Sequence, residues 1–148
     1  MHKSEKGVTL IELLTVVVVV AVLASIAVPS YRRYLIRAQR SDATTALLQI
    51  QSAEEKFFLQ NGTYTTNLTA LPKDGGLGLA SANSERGYYA LTVATPGTSG
   101  TGYDATAKPI ANGGQGDDKK CAVFTVTEIG KKTSTDTASS PSTSECWR

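Results

Sequence analysis

"GVTLIELLTVVVVVAVLASIAVPSY", Gly7 to Tyr31, is the stretch on which the reading of this chain turns. From Leu13 to Val28 it holds no charged residue, yet Glu12 sits near its start. Val8 to Val28 spans 21 positions, about 31 Å as a helix, which matches the ~30 Å hydrocarbon layer of a bilayer. An ionised side chain at the centre of that layer costs about 2.5–3.5 kcal/mol, and less near an edge. Glu12 therefore calls for a partner, and its apolar neighbours offer none.

Three readings of the stretch compete. The first is a secretory signal peptide, with a basic start and small residues, Ser25 and Ala27, placed for cleavage after Ala27. An apolar region of 7–15 residues is usual there, and an internal Glu is not. The second is local: Thr9-x-x-Glu12 has the spacing of a capping box, and an acid suits the positive end of a helix dipole. That reading leaves open why Val8, Leu10 and Ile11 surround the cap.

The third is a family resemblance. A short charged leader ending in Gly7, an apolar Val8, then Thr9-Leu10-Ile11-Glu12-Leu13 and a long apolar run closing in Ala27-Val28-Pro29-Ser30-Tyr31 resemble the start of type IV pilins. The resemblance implies that a membrane prepilin peptidase/methyltransferase removes residues 1–7 by cutting between Gly7 and Val8, then methylates the new Val8 amine. The family's usual first mature residue is Phe, so Val8 is a departure. The implied partner of Glu12 is the Val8 amine of a neighbouring subunit. Two unit charges 4 Å apart attract by ~4 kcal/mol at an effective dielectric of 20, before desolvation is subtracted. Registry is then the larger benefit, because sliding one apolar helix along another in lipid changes little, whereas a single ion pair penalises every wrong offset. Ala21, Ala24, Ser25 and Ala27 add small residues that allow close helix approach.

Charge counting points the other way. Arg32, Arg33, Arg37 and Arg40 follow the run, against Lys3 and Lys6 before it, which by the positive-inside rule places the C-terminus in the cytoplasm. The leader and the cysteine pair favour an exported C-terminal part, and that orientation is adopted.

Pro29 cannot donate to the helix ladder, so a kink or local break is expected there. Beyond it, Ala43, Ala46, Leu47, Ile50, Ala53 and Phe57 recur at steps of three and four, defining one apolar stripe on a helix that runs to about Leu59. Arg33, Arg37 and Arg40 are placed on another face, either solvated or against lipid phosphates. Gly62 ends the helix, and residues 61–87 read as loop. Strands are expected at Tyr88–Ala94, Gly102–Lys108 and Cys121–Glu128, with a short fourth near Lys131–Ser134, as an antiparallel meander on the helix stripe. The fold class is α+β, a long N-terminal helix, half membrane-spanning and half amphipathic, packed on a small antiparallel sheet. The expected organisation is leader 1–7, apolar helix 8–29, amphipathic half 30–60 and head 61–148.

The 148 residues carry a net charge of +2, too little to imply nucleic acid as a partner. Cys121 and Cys146 read as one disulfide in an exported domain and as two thiols in the cytosol; the pilin resemblance selects the disulfide, with Thr133–Ser144 as a tethered surface loop. His2 is the single histidine and lies in the leader, which removes histidine-dependent triads. Asp117-Asp118 lacks the spacing of a calcium loop and reads as a solvated turn. Glu54 and Glu55 are adjacent and point apart, a poor acid–base pair. Asn61-Gly62-Thr63 and Asn67-Leu68-Thr69 match glycosylation sequons by chance. Lys119-Lys120 and Lys131-Lys132 lack interleaved aromatics, so nucleic acid is unlikely or weak as a partner.

The closing "KKCAVFTVTEIGKKTS" and "CW" resemble the minor pilins of twitching systems. This implies a structural subunit that is not an enzyme, has no cofactor or metal, and works with other pilins, minor pilins and an inner-membrane assembly platform. It would sit in the inner membrane with its head in the periplasm, then in the pilus. A major pilin, a type II secretion pseudopilin and a tethered binding module that never polymerises are the alternatives.

Overall fold

The computed structural model describes residues 7–96, 100–111 and 114–147, so His2, Lys3, Glu5 and Lys6 of the expected leader fall outside the described residues. The chain divides into two compact units, Met1–Leu35 and Ile36–Arg148. One helix, α1 (Leu10–Asn61), begins in the first and ends in the second. Pro29 lies inside α1, and helical residues flank it on both sides. A missing donor costs one hydrogen bond of the ladder, which long helical runs on either side can carry.

Every described residue of the first unit, Gly7 to Leu35, is exposed. Val8 is 73% exposed, Leu10 81% and Ile26 68%. The helix is apolar enough to cross a membrane, with a mean hydropathy of 2.8 over its most apolar 18-residue window. A continuous apolar surface of this kind marks a contact with lipid or with other protein.

The second unit packs the C-terminal part of α1 on a four-stranded antiparallel sheet of order β1-β2-β3-β4, formed by β1 (Tyr89–Ala94), β2 (Asp104–Pro109), β3 (Val123–Thr127) and β4 (Lys132–Thr135). This is the meander expected from the sequence, with strand ends shifted by one or two residues. Registers of Leu91 with Ala107, Ala107 with Phe124, and Phe124 with Ser134 place these side chains on the inner face. They meet Ala43, Ala46, Leu47, Ile50 and Phe57 of the helix stripe, all buried. The rings of Tyr89 and Phe124 meet edge to face at 5.7 Å, and Phe124 meets Trp147 at 5.9 Å. On the outer face Thr92, Thr106, Thr125 and Thr133 stand in one cross-strand row.

α1 ends because Gly62 turns left-handed, with φ +71°, and its N–H closes on the carbonyl of Phe58. The β3–β4 hairpin uses Gly130 at φ +72° in the same way. The Ser/Thr-rich segment is more ordered than a tethered loop. Thr133–Thr135 belongs to β4, Thr135 bridges Pro141, and Thr143–Cys146 forms a short helix, α2. The reason is local pairing: Ser142 N–H donates to Ser134 O at 2.8 Å, and Ser134 N–H donates to Thr143 Oγ1 at 3.0 Å.

Candidate functional site

The start of α1 is held by a reciprocal cap. Glu12 N–H donates to Thr9 Oγ1 at 3.3 Å, while the Thr9 N–H and hydroxyl donate to Glu12 Oε2 at 3.3 and 3.2 Å. This is the capping box that Thr9-x-x-Glu12 spells, and it makes Thr9 the N-cap residue. Only Val8 then stands between Gly7 and the cap. The Glu12 side chain is anchored at the mouth of the helix, on the N–H and hydroxyl of Thr9, the residue after Val8. Methyl-sized space is open at Gly7, where an added Cβ meets nothing within 4 Å. Packing gives no reason for a glycine at that position.

In the head, the network around Arg40 and Asp118 departs from expectation. Arg40 is 9% exposed, not on a solvated or lipid-facing surface. Its Nε and Nη2 donate to Asp118 Oδ2 and Oδ1 at 2.7 and 2.9 Å, a bidentate ion pair. The pair falls on the buried stripe because Arg40 is three residues before Ala43 and seven before Leu47. Asp118 is thus a buried partner of α1 and not part of a solvated turn. Its Oδ1 also accepts from Cys121 N–H at 3.3 Å. Gln115 Nε2 lies 3.1 Å from Ile36 O, 2.7 Å from Tyr89 Oη and 3.3 Å from Asp118 Oδ2. Burial, with the Asp118 charge beside it, raises the Tyr89 phenol above its usual range, so that ring stays neutral. Asp42, two residues on, accepts from Ser84 Oγ and from Arg86 N–H, tying the connection into β1 to the helix.

Cys121 and Cys146 form a disulfide with Cα atoms 5.9 Å apart. Closing a loop of sequence separation 25 contributes about 3.5 kcal/mol in the chain-entropy model. Trp147 beside it donates its indole N–H to Thr133 O at 2.8 Å. Of the lysine pairs, Lys120 reaches Glu145 at 2.7 Å and Lys132 sits 5.4 Å from the Trp147 ring centroid. Among the described residues, no group of three or more His, Cys, Asp or Glu is placed to hold a metal ion.

Sequence reasoning missed Glu54 as a buried acid. The spacing that placed Leu47, Ile50 and Phe57 on the stripe also places Glu54 there, and it is 0% exposed while Glu55 is exposed.

Comparison with known proteins gives two family models. Residues 29–125 match "Type IV minor pilin ComP, DNA uptake sequence receptor", well over half of the chain, and residues 2–28 match the prokaryotic N-terminal methylation motif. A major pilin protein, PilE, of Neisseria gonorrhoeae is 37% identical over 94 residues, covering 63% of this chain and 52% of the relative. A fimbrial protein of Pseudomonas aeruginosa is 38% identical over 72 residues, 49% of this chain and 46% of the relative. The chain spans about half the length of the curated relatives it matches. Among solved structures, the non-core minor pilin PilV of Neisseria meningitidis superposes with a TM-score of 0.51 at 21% identity, covering 72% of this chain and 93% of that one. At that identity the likeness speaks for the fold.

Proposed function

The chain belongs to the type IV pilin family, with a head of the ComP minor-pilin type, and we propose that it works as a minor pilin in the assembly of a type IV pilus and in twitching motility. The observation that carries this reading is the first unit: an apolar helix exposed along its whole described length, opened by one carboxylate held at the helix mouth. A peptidase cut between Gly7 and Val8 would place a methylated, positively charged amine next to that cap. Glu12 then serves as the counter-charge that sets the offset between neighbouring subunits, with the head on the periplasmic side before assembly. The experiment replaces Glu12 by Val in cells lacking the wild-type chain and measures leader removal and recovery in sheared fibres separately. Normal cleavage with loss from the fibre is the expected result. Normal incorporation would defeat the proposal, and so would a stalled precursor, which would place Glu12 in peptidase recognition instead.

The family model's own description favours a second reading, DNA binding by the head. Lys119 and Lys131 would supply phosphate contacts, since Lys120 and Lys132 are engaged within the head. With two phosphate contacts the logarithm of affinity falls by about 1.8 per decade of salt. Fluorescence anisotropy with duplex DNA across a salt series tests it. A slope of that size that halves in Lys119→Ala supports the reading, and no binding at low salt removes it.

A further inference from the structure

The carboxyl of Glu54 is buried where α1 meets the segment that leaves it. Its Oε2 accepts from Thr65 N–H at 3.2 Å, while Oε1 has no hydrogen-bond partner. The hydroxyl of Tyr103, a residue 0% exposed at the entry to β2, is also without a partner. Tyr103 packs edge to face on Tyr64 at 4.8 Å, and Tyr64 stacks on Phe58 at 4.6 Å, so three rings wall the region. The charged and titratable groups that face it are Glu55 from α1, Tyr64 from the exit segment, Tyr103 from the entry to β2 and Glu128 from the β3–β4 turn. All are acidic or phenolic; no cation is among them.

An ionised Glu54 would thus be a buried charge with one N–H donor and like charges for neighbours, a state whose cost falls if the side chain swings out to water. Swinging out breaks the bond to Thr65. A neutral carboxyl has no such penalty, and its Oε2 keeps accepting from Thr65 N–H. We propose that Glu54 is a proton-operated latch on the chain leaving α1, closed on residues 62–66 when its carboxyl is neutral and released when it ionises. Tyr64 N–H bonds to Gly100 O at 3.0 Å and Thr65 Oγ1 to Gly75 O at 2.8 Å, so release would loosen one end of the head's surface. Burial, opposed by the Thr65 N–H bond and helped by the Glu55 charge, raises this carboxyl to about 7, inside the range a secreted or surface protein meets.

Hydrogen exchange of the full-length chain in detergent micelles, corrected for intrinsic rates, tests the latch on residues 62–66. In the wild type, protection of Thr65 should fall about tenfold between pH 5 and pH 6, as each pH step below the midpoint multiplies the ionised fraction by about ten, and should level off above pH 7. It should stay level in Glu54→Gln. Glu55→Gln, a substitution on the exposed face, should keep the transition and move its midpoint to lower pH. A Glu54 carboxyl signal titrating near 4.5 in the wild type would overturn the proposal, as would an equal fall in Glu54→Gln or an unmoved midpoint in Glu55→Gln.

Discussion

Replacing Asp118 by Ala probes the buried network most sharply. The side chain removed accepts two charge-assisted bonds from Arg40, one from Cys121 N–H and a longer one from Gln115 Nε2. What remains is a guanidinium on a residue 9% exposed, stripped of its ion-pair partner. Breaking a buried pair from one side costs about 3–5 kcal/mol, because the surviving charge stays desolvated. For a domain of this size each kcal/mol lowers Tm by about 4 °C, so the head should melt about 12–20 °C lower, against a total stability of about 5–15 kcal/mol. The double variant Arg40→Met with Asp118→Leu removes both charges and fills similar volume, which is often neutral or stabilising. Near-UV circular dichroism of the full chain in detergent, heated at fixed pH, follows the packing of Tyr89, Phe124 and Trp147. Recovery of most of the lost Tm in the double variant is the expected result. A fall of less than about 4 °C in Asp118→Ala would mean the pair behaves as an exposed one, worth 0–1 kcal/mol, and the reasoning from burial would be refuted.

Thr9→Ala removes the hydroxyl of the cap and should cost about 1 kcal/mol of helix stability, while Glu12 and fibre incorporation are retained; loss of incorporation equal to that of Glu12→Val would tie assembly to the cap itself. Cys121→Ser with Cys146→Ser should lower head stability by about 3.5 kcal/mol, seen as a lower midpoint in urea with the same fold below it. The Glu54 carboxyl, raised from 4.5 to about 7, holds a proton in the folded head that the unfolded chain has already released between those values. The Glu54 contribution to stability should therefore be largest below about pH 4.5, fall by at most about 3 kcal/mol up to pH 7, and level off above it. In Glu54→Gln that component should vanish from the pH series.

The legible parts of the fold were those governed by periodicity. Leu47, Ile50 and Phe57 announce the buried face of α1, and the alternation in β3 announces that Phe124 and Val126 face inward, because each depends only on neighbours in sequence. Thr9 and Glu12 were readable as a cap for the same reason. Arg40 and Asp118 were not: an arginine ordinarily reads as surface, and its partner lies 78 residues away. The order in Thr133–Ser144 was hidden as well, since it comes from pairing against β4 and not from side-chain pattern. Glu54 was concealed by its identity, since an acid interrupts an apolar stripe on paper while completing it in space. Of the proposed assembly site, Val8 and Glu12 were legible together. The meeting proposed for them across subunits would be a property of two chains.

The most direct test of the account is the chemical form of the N-terminus in the fibre. Pili sheared from cells and analysed by mass spectrometry should contain this chain beginning at an N-methylated Val8. A chain beginning at Met1, one trimmed after Ala27, or none at all in the fibre would contradict it.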